Sequence, residues 1–126
     1  MRQWRKHMVT GRCHCGNVEL SIPDLTETAT SCNCSICSRY GAIWGYFTES
    51  DVEVKVGQAG LSSYCYGDKF INFNRCNECG CITHYTSTES GPSSRLAVNY
   101  RMFPPSLTSR VKIRLFDGAD TWQFLD

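Results

Sequence analysis

The stretch SCNCSICSRYG, Ser31 to Gly41, places three cysteines within six residues in the spacing C-x-C-x-x-C. Two further groups lie on either side of it. GRCHCGN upstream holds Cys13 and Cys15, and RCNECGC downstream holds Cys76 and Cys79, with Cys81 two residues on. The cysteine count is nine, so full internal pairing as disulfides is impossible. The N-terminal MRQWRKHMVTG is basic and lacks the apolar core of a signal peptide, which gives a cytosolic expectation. Thiols in that compartment stay reduced, so tight cysteine spacing reads as metal binding.

Working outward, the rest of the chain reads as strands. GNVELSI alternates Val18, Leu20 and Ile22 with polar residues and stops at Pro23. AIWGYF is an aromatic strand, and DVEVKVG alternates Val52, Val54 and Val56 up to Gly57. LSSYCYG and KFINFN form two strands around the turn signal Gly67-Asp68. CITHYTS, SRLAVNY and RVKIRLF follow, with a chain break at Pro104-Pro105 and a turn at Asp117-Gly118. Asp24 to Ser31 reads as a polar connection, and one short helix or turn follows Cys37 through SRYG. The expectation is a mainly β protein of small antiparallel sheets, forming one domain over residues 1–126.

The bulk numbers exclude several classes. The chain has 126 residues, 41% hydrophobic and 20% charged, which is globular rather than disordered. A formal charge of +1 gives no electrostatic case for nucleic acid, and thiolate-bound zinc makes the protein slightly negative. No apolar run reaches the roughly 20 residues of a membrane helix.

Zinc held by thiolates is tetrahedral, with Zn–S about 2.3 Å and sulfurs about 3.8 Å apart. C-x-x-C on a tight turn meets this, and Gly80 can take the positive φ that turns backbone N–H groups toward the sulfurs. C-x-C at a strand end also works, with His14 and Asn33 pointing away. A structural site takes four ligands and a catalytic one three. Joining the outer pairs gives Cys13, Cys15, Cys76 and Cys79 as a closed site, leaving Cys32, Cys34 and Cys37 with a vacancy. Two alternatives stay open: Cys81 completing the second site, or a shared binuclear cluster.

The three ordered motifs resemble those of the glutathione-dependent formaldehyde-activating enzyme family, which includes the centromere protein V group. They are Gly11-Arg12-Cys13-His14-Cys15-Gly16, then Cys32-Asn33-Cys34-Ser35-Ile36-Cys37, then Cys76-Asn77-Glu78-Cys79-Gly80. The resemblance spans about Val9 to the strand before Pro104. It implies a β-tent-type zinc fold with two Zn²⁺ per chain. Cys13, Cys15, Cys76 and Cys79 are implied as structural ligands, and Cys32, Cys34 and Cys37 as catalytic ones. The implied activity is a carbon–sulfur lyase type of reaction, condensation of formaldehyde with glutathione to S-(hydroxymethyl)glutathione. The implied partners are therefore a small thiol and an aldehyde. A zinc with three thiolates carries net negative charge and is a weak Lewis acid, which favours activation of the thiol over polarisation of the carbonyl. The competing readings are a non-catalytic two-zinc protein-interaction scaffold and a redox- or metal-responsive thiolate protein.

Other residues carry two readings each. Arg39, Tyr40, Trp44 and Tyr46 form either a substrate wall, with Arg39 meeting a carboxylate, or core filling; the aromatics favour the core. His84 is a ligand or proton shuttle, or else a packed strand residue, and the second is favoured. His7 and His14 read as solvated, Cys65 as apolar filler, and Cys81 as a packed thiol or spare ligand. Arg12, Arg75, Arg95 and Arg101 read as surface.

Overall fold

The computed structural model describes residues 8–65, 71–88 and 94–126. His7 and the Gly67-Asp68 turn, together with the start of KFINFN, lie outside them. The described chain is mainly β. In order the elements are β1 (Val9–Arg12), β2 (Val18–Ile22), β3 (Thr28–Cys32), α1 (Ser35–Tyr40), β4 (Trp44–Thr48), β5 (Glu53–Val56), β6 (Leu61–Tyr64), β7 (Ile71–Cys76), β8 (Ile82–Ser87), β9 (Arg95–Asn99), α2 (Pro105–Thr108) and β10 (Lys112–Phe116).

Two sheets result. A three-stranded antiparallel sheet runs β1-β2-β5, and a seven-stranded sheet runs β10-β3-β4-β9-β8-β7-β6. The alternating apolar residues of β2 are fully buried at Val18, Leu20 and Ile22. They pack with Leu96 and Val98 of β9, so one core lies between the two sheets. A second core lies on the other face of the large sheet, where Ala97, Phe73, Tyr85 and Trp44 pack with Cys37 of α1. The alternation of side chains along each strand sends neighbours to opposite faces. Tyr85 is directly opposite Ala97, and His84 opposite Val98. Each belongs to the face its partner occupies.

Two strands were not legible as such. β3 lies in the segment read as a polar connection, because TATSC offers only small residues. It is ordered by its neighbours: it pairs in parallel with β10, Lys112 opposite Thr28 through Phe116 opposite Cys32, and touches β4 through Thr30 and Trp44. This is the one parallel pair in an otherwise antiparallel pattern among the described strands. β1 is four residues long and contains Gly11, where a Cβ would meet the Phe103 ring at 2.7 Å. The proline break is real, and Pro105 also opens α2, a position where its missing N–H costs nothing.

The one short helix is present but starts earlier than expected: it runs from Ser35 and includes Cys37, where the sequence reading began it after Cys37. Cys34 is its N-cap, its sulfur accepting from the Cys37 N–H, and Gly41 caps the other end. Arg39 folds back on this helix and donates to the Ser35 carbonyl at 2.7 Å. Alternation overstates burial at the sheet edge, since Ile113 and Leu115 of β10 are exposed while Val111 is buried.

Candidate metal centres

The first centre forms where two hairpin tips meet. Cys13 and Cys15 occupy the turn between β1 and β2, closed by Gly16 N–H to the Cys13 carbonyl at 3.1 Å. Cys76 ends β7 and Cys79 follows in the turn to β8, closed by Gly80 N–H to the Cys76 carbonyl at 3.0 Å. Gly80 has φ 78°, the left-handed conformation that its position demanded. The Cys13 and Cys15 sulfurs lie 3.7 Å apart, and those of Cys15 and Cys76 3.5 Å. All four sulfurs lie within 4.8 Å of one another. These separations are too long for a disulfide of about 2.05 Å and close to the roughly 3.8 Å of a tetrahedral tetrathiolate metal. The donor set fits zinc.

Polar hydrogens converge on these sulfurs. Val18 N–H donates to Cys13 at 3.2 Å, and the Asn17 amide and Glu78 N–H donate to Cys76 at 3.4 and 3.3 Å. Burial pushes the Cys79 thiol up, but hydrogen bonds from the Cys81 and Cys15 backbone N–H groups and from neighbouring thiols outweigh it, leaving it at about 5. Asn17 is a residue that the spacing argument missed. Its side chain reaches the Cys76 sulfur and the Gly60 carbonyl at 3.1 Å, and its oxygen accepts from Ala59 N–H at 3.2 Å, so it ties the tip to the β5–β6 turn. Asn77, inside the C-x-x-C loop, braces the same turn by donating to the Ala59 carbonyl at 2.9 Å. Cys81 packs with this group, in the core containing Cys13 and Cys79. It does not join Cys32, Cys34 and Cys37.

The second centre is built on the other face of the large sheet. Cys32 ends β3, Cys34 caps α1 and Cys37 lies in its first turn; their sulfurs are within 4.8 Å of one another. No fourth His, Cys, Asp or Glu joins them among the described residues. Burial raises the Cys37 thiol to about 12, against the buried Trp44 Nε1–H that donates to its sulfur at 3.4 Å. Cys34 moves the other way: burial raises it, but the N–H groups of Cys37 and Ile36 and its neighbours' thiols lower it further. A helix N-terminus supplies this donor geometry. The two thiols are thus shifted in opposite directions, Cys34 down by its N–H donors and Cys37 up by burial.

The aromatic residues after this motif divide as core and surface. Trp44 is buried against Tyr85, ring centroids 4.8 Å apart, and Tyr40 packs on Phe73 at 5.7 Å. Tyr46 is exposed beneath the Arg95 guanidinium at 4.8 Å. Arg39 serves its own helix, Arg12 pairs with Glu19 at 2.9 Å and Arg101 donates to the Gly41 carbonyl at 3.0 Å, so these cations do not converge on either centre. His84 is buried, its Nδ1 2.7 Å from the Thr83 hydroxyl, and burial lowers its pKa to about 4. It is neutral, packed, and on the sheet face opposite Cys37. His14 is exposed, and Cys65 is half-buried outside both sulfur groups.

Asn33 points away from the sulfurs, as a C-x-C middle residue should, and finds a partner there. Its amide donates to Asp117 Oδ1 at 2.9 Å and its oxygen accepts from Ala119 N–H at 3.0 Å. This clamps the turn after β10 onto the cluster. At Gly118 a Cβ would lie 2.6 Å from the Cys32 sulfur and 3.3 Å from the Cys34 Cβ. The glycine is required by close approach. Gly118→Ala is expected to destabilise the protein by about 1–3 kcal/mol through overpacking and to speed loss of metal from the three-cysteine centre to a chelator. An unchanged melt and unchanged metal release would contradict the packing described.

Among the described residues no helix is long and apolar enough to cross a membrane. Comparison with curated proteins gives no match. Among solved structures, the fold is similar to the crystal structure of a Rhodobacter sphaeroides protein, a structural-genomics target, with a TM-score of 0.67 and 32% sequence identity over 83% of this chain and 99% of that one. The model of the glutathione-dependent formaldehyde-activating enzymes matches residues 8–113, which contain all three cysteine motifs. With the fold, the two sulfur clusters and this match in agreement, the chain belongs to the glutathione-dependent formaldehyde-activating enzyme family.

Proposed function

We propose that this protein joins a small thiol to an aldehyde, with Cys32, Cys34 and Cys37 holding the reactive metal and Cys13, Cys15, Cys76 and Cys79 holding a structural one. Formaldehyde and glutathione are the pair in the family's description. The observation that carries the reading is the unequal ligand count, three sulfurs in one cluster and four in the other. A tetrahedral ion with three protein ligands has room for a substrate. Residues 1–126 act as one zinc-stapled domain, and a reducing compartment such as the cytoplasm keeps the sulfurs available as ligands.

A zinc ion bound by the three cysteines would supply positive charge that favours the thiolate form of an incoming thiol. The chain's own residues set up the rest. The α1 N-terminus and the Trp44 indole N–H direct donors to Cys34 and Cys37, fixing both sulfurs in place. The packing of Trp44, Phe73 and Tyr85 behind Cys37 excludes water on that side. In the reaction the thiol sulfur forms a bond to the aldehyde carbon. The thiol loses its proton, the carbonyl π pair moves to oxygen, and that oxygen gains a proton. The product is a hydroxymethyl thioether, and no oxidant or reductant is consumed.

The test is the exchange of ¹³C-labelled formaldehyde between its hydrate and the thiol adduct, followed by NMR at neutral pH. The zinc-loaded protein is expected to accelerate exchange above the uncatalysed rate for at least one small thiol. Exchange at the background rate for glutathione, 2-mercaptoethanol and an aryl thiol alike would contradict the enzyme reading.

A further inference from the structure

The family match ends at residue 113, yet the chain beyond it returns to the three-cysteine cluster. After β10 the backbone turns at Asp117 and comes back antiparallel, with Phe124 bridging Phe116 and Leu125 N–H donating to the Leu115 carbonyl at 2.8 Å. The Asn33 clamp holds this hairpin down, and the Gly118 N–H is directed at the Cys32 sulfur.

Trp122 is the unexplained residue of the hairpin. It is 71% exposed, the most exposed of the large apolar side chains described. Its φ of 60° makes it the only non-glycine residue with positive φ among those described. A bulky residue there is strained. The indole stands edge-on to Phe116 at 5.0 Å, and the Trp122 N–H closes the turn on the Asp117 carbonyl at 2.7 Å. A methyl group placed on Gly118 would touch both the Cys32 sulfur and, at 3.5 Å, the indole edge. The exposed ring therefore stands beside the cluster.

The three sulfurs differ in burial. Cys37 is buried behind Trp44, whereas Cys32 and Cys34 are half-buried. The less buried sulfurs are therefore on the Cys32–Cys34 side, against which Gly118 of the hairpin packs. The turn from Asp117 to Trp122 brings two carboxylates, Asp117 and Asp120, and no cation. Arg39 on α1 is bonded to its own helix, and Arg114 on β10 pairs with Asp126. Glutathione carries two carboxylates of its own.

We propose that Trp122 is a specificity-determining residue of the three-cysteine centre, and that the hairpin selects thiols bearing an apolar or planar group over the doubly carboxylated glutathione. This rests on the reading of that centre as a thiol site. The indole supplies a flat apolar contact to the organic part of the thiol, and the two carboxylates disfavour a further anion.

The test uses the cobalt-loaded full chain and follows thiolate-to-cobalt absorption during titration with phenylmethanethiol and with glutathione. Phenylmethanethiol is expected to bind about tenfold tighter, the scale of one aromatic contact. Trp122→Ala should remove most of that preference and change glutathione affinity less than about twofold. Trp122→Gly, which also relieves the positive φ, repeats the measurement in a background that folds without strain. Equal affinities in the wild type, a preference for glutathione, or a preference unchanged in both variants would overturn the proposal while leaving the thiol site standing. Absorption unmoved by either thiol would overturn the thiol site as well.

Discussion

Cys79→Ser is expected to yield protein that is unfolded or aggregated. Its sulfur belongs to the cluster that ties the β1–β2 tip to the β7–β8 tip. Those tips lie on different sheets, and the cluster joins them. Structural zinc contributes about 10 kcal/mol or more to folding. The whole stability of a domain is about 5–15 kcal/mol. Losing one of four thiolates therefore removes an amount comparable to everything that holds the fold. Cys79 is also the sulfur whose thiol the surrounding N–H donors and neighbouring thiols lower to about 5, so serine removes the ligand those donors serve. Thermal melts and metal content check this. A soluble Cys79→Ser protein with an unchanged melting temperature would show that the cluster is not a structural centre.

Cys34→Ser is expected to do the opposite. Cys34 caps α1 through its sulfur, and serine is among the preferred N-cap residues, so the helix keeps its cap. The metal content should fall by about one per chain while the melting temperature moves by only a few degrees. Formaldehyde–thiol exchange should fall to the uncatalysed rate. Elemental analysis beside the exchange assay reads both effects. If Cys34→Ser were as damaged as Cys79→Ser, the two centres would not have separate roles.

The cysteine groups were legible because metal ligation imposes spacing on the chain itself. C-x-C and C-x-x-C put neighbouring sulfurs within reach of one ion, and the two clusters match the most economical of the groupings the ligand count left open. The strands with buried alternation, β2 above all, were legible for the same reason: the pattern sits within one segment. β3 was not, because TATSC has no apolar stripe and owes its conformation to β10, some eighty residues away, and to β4. The same distance hid the role of Asn33, whose partners are Asp117 and Ala119. Asp117-Gly118 reads locally as a turn, and it is one. Only the parallel pairing of β3 with β10 shows why that turn must end on the Cys32 sulfur and why it needs glycine. Asn17 and Asn77 were missed in the same way, since their bonds to Gly60 and Ala59 cross between hairpins. Cys81 was ambiguous in the sequence because its neighbours decide it: it packs in the core containing Cys13 and Cys79 and outside the three-cysteine cluster.

The most direct measurement counts exogenous sulfur at the metal. Protein loaded with two equivalents of cobalt is titrated with 2-mercaptoethanol, and the thiolate-to-cobalt absorption is followed for the wild type and for Cys34→Ser. A three-cysteine centre with a free position predicts a saturable rise equal to about one further sulfur per chain, accompanied by proton release because the ligand is the thiolate. Cys34→Ser should show only the spectrum of the four-cysteine centre and no rise. A wild-type spectrum that already corresponds to eight cobalt–sulfur bonds, or one that no thiol changes, would mean that both centres are closed and that the protein is a scaffold.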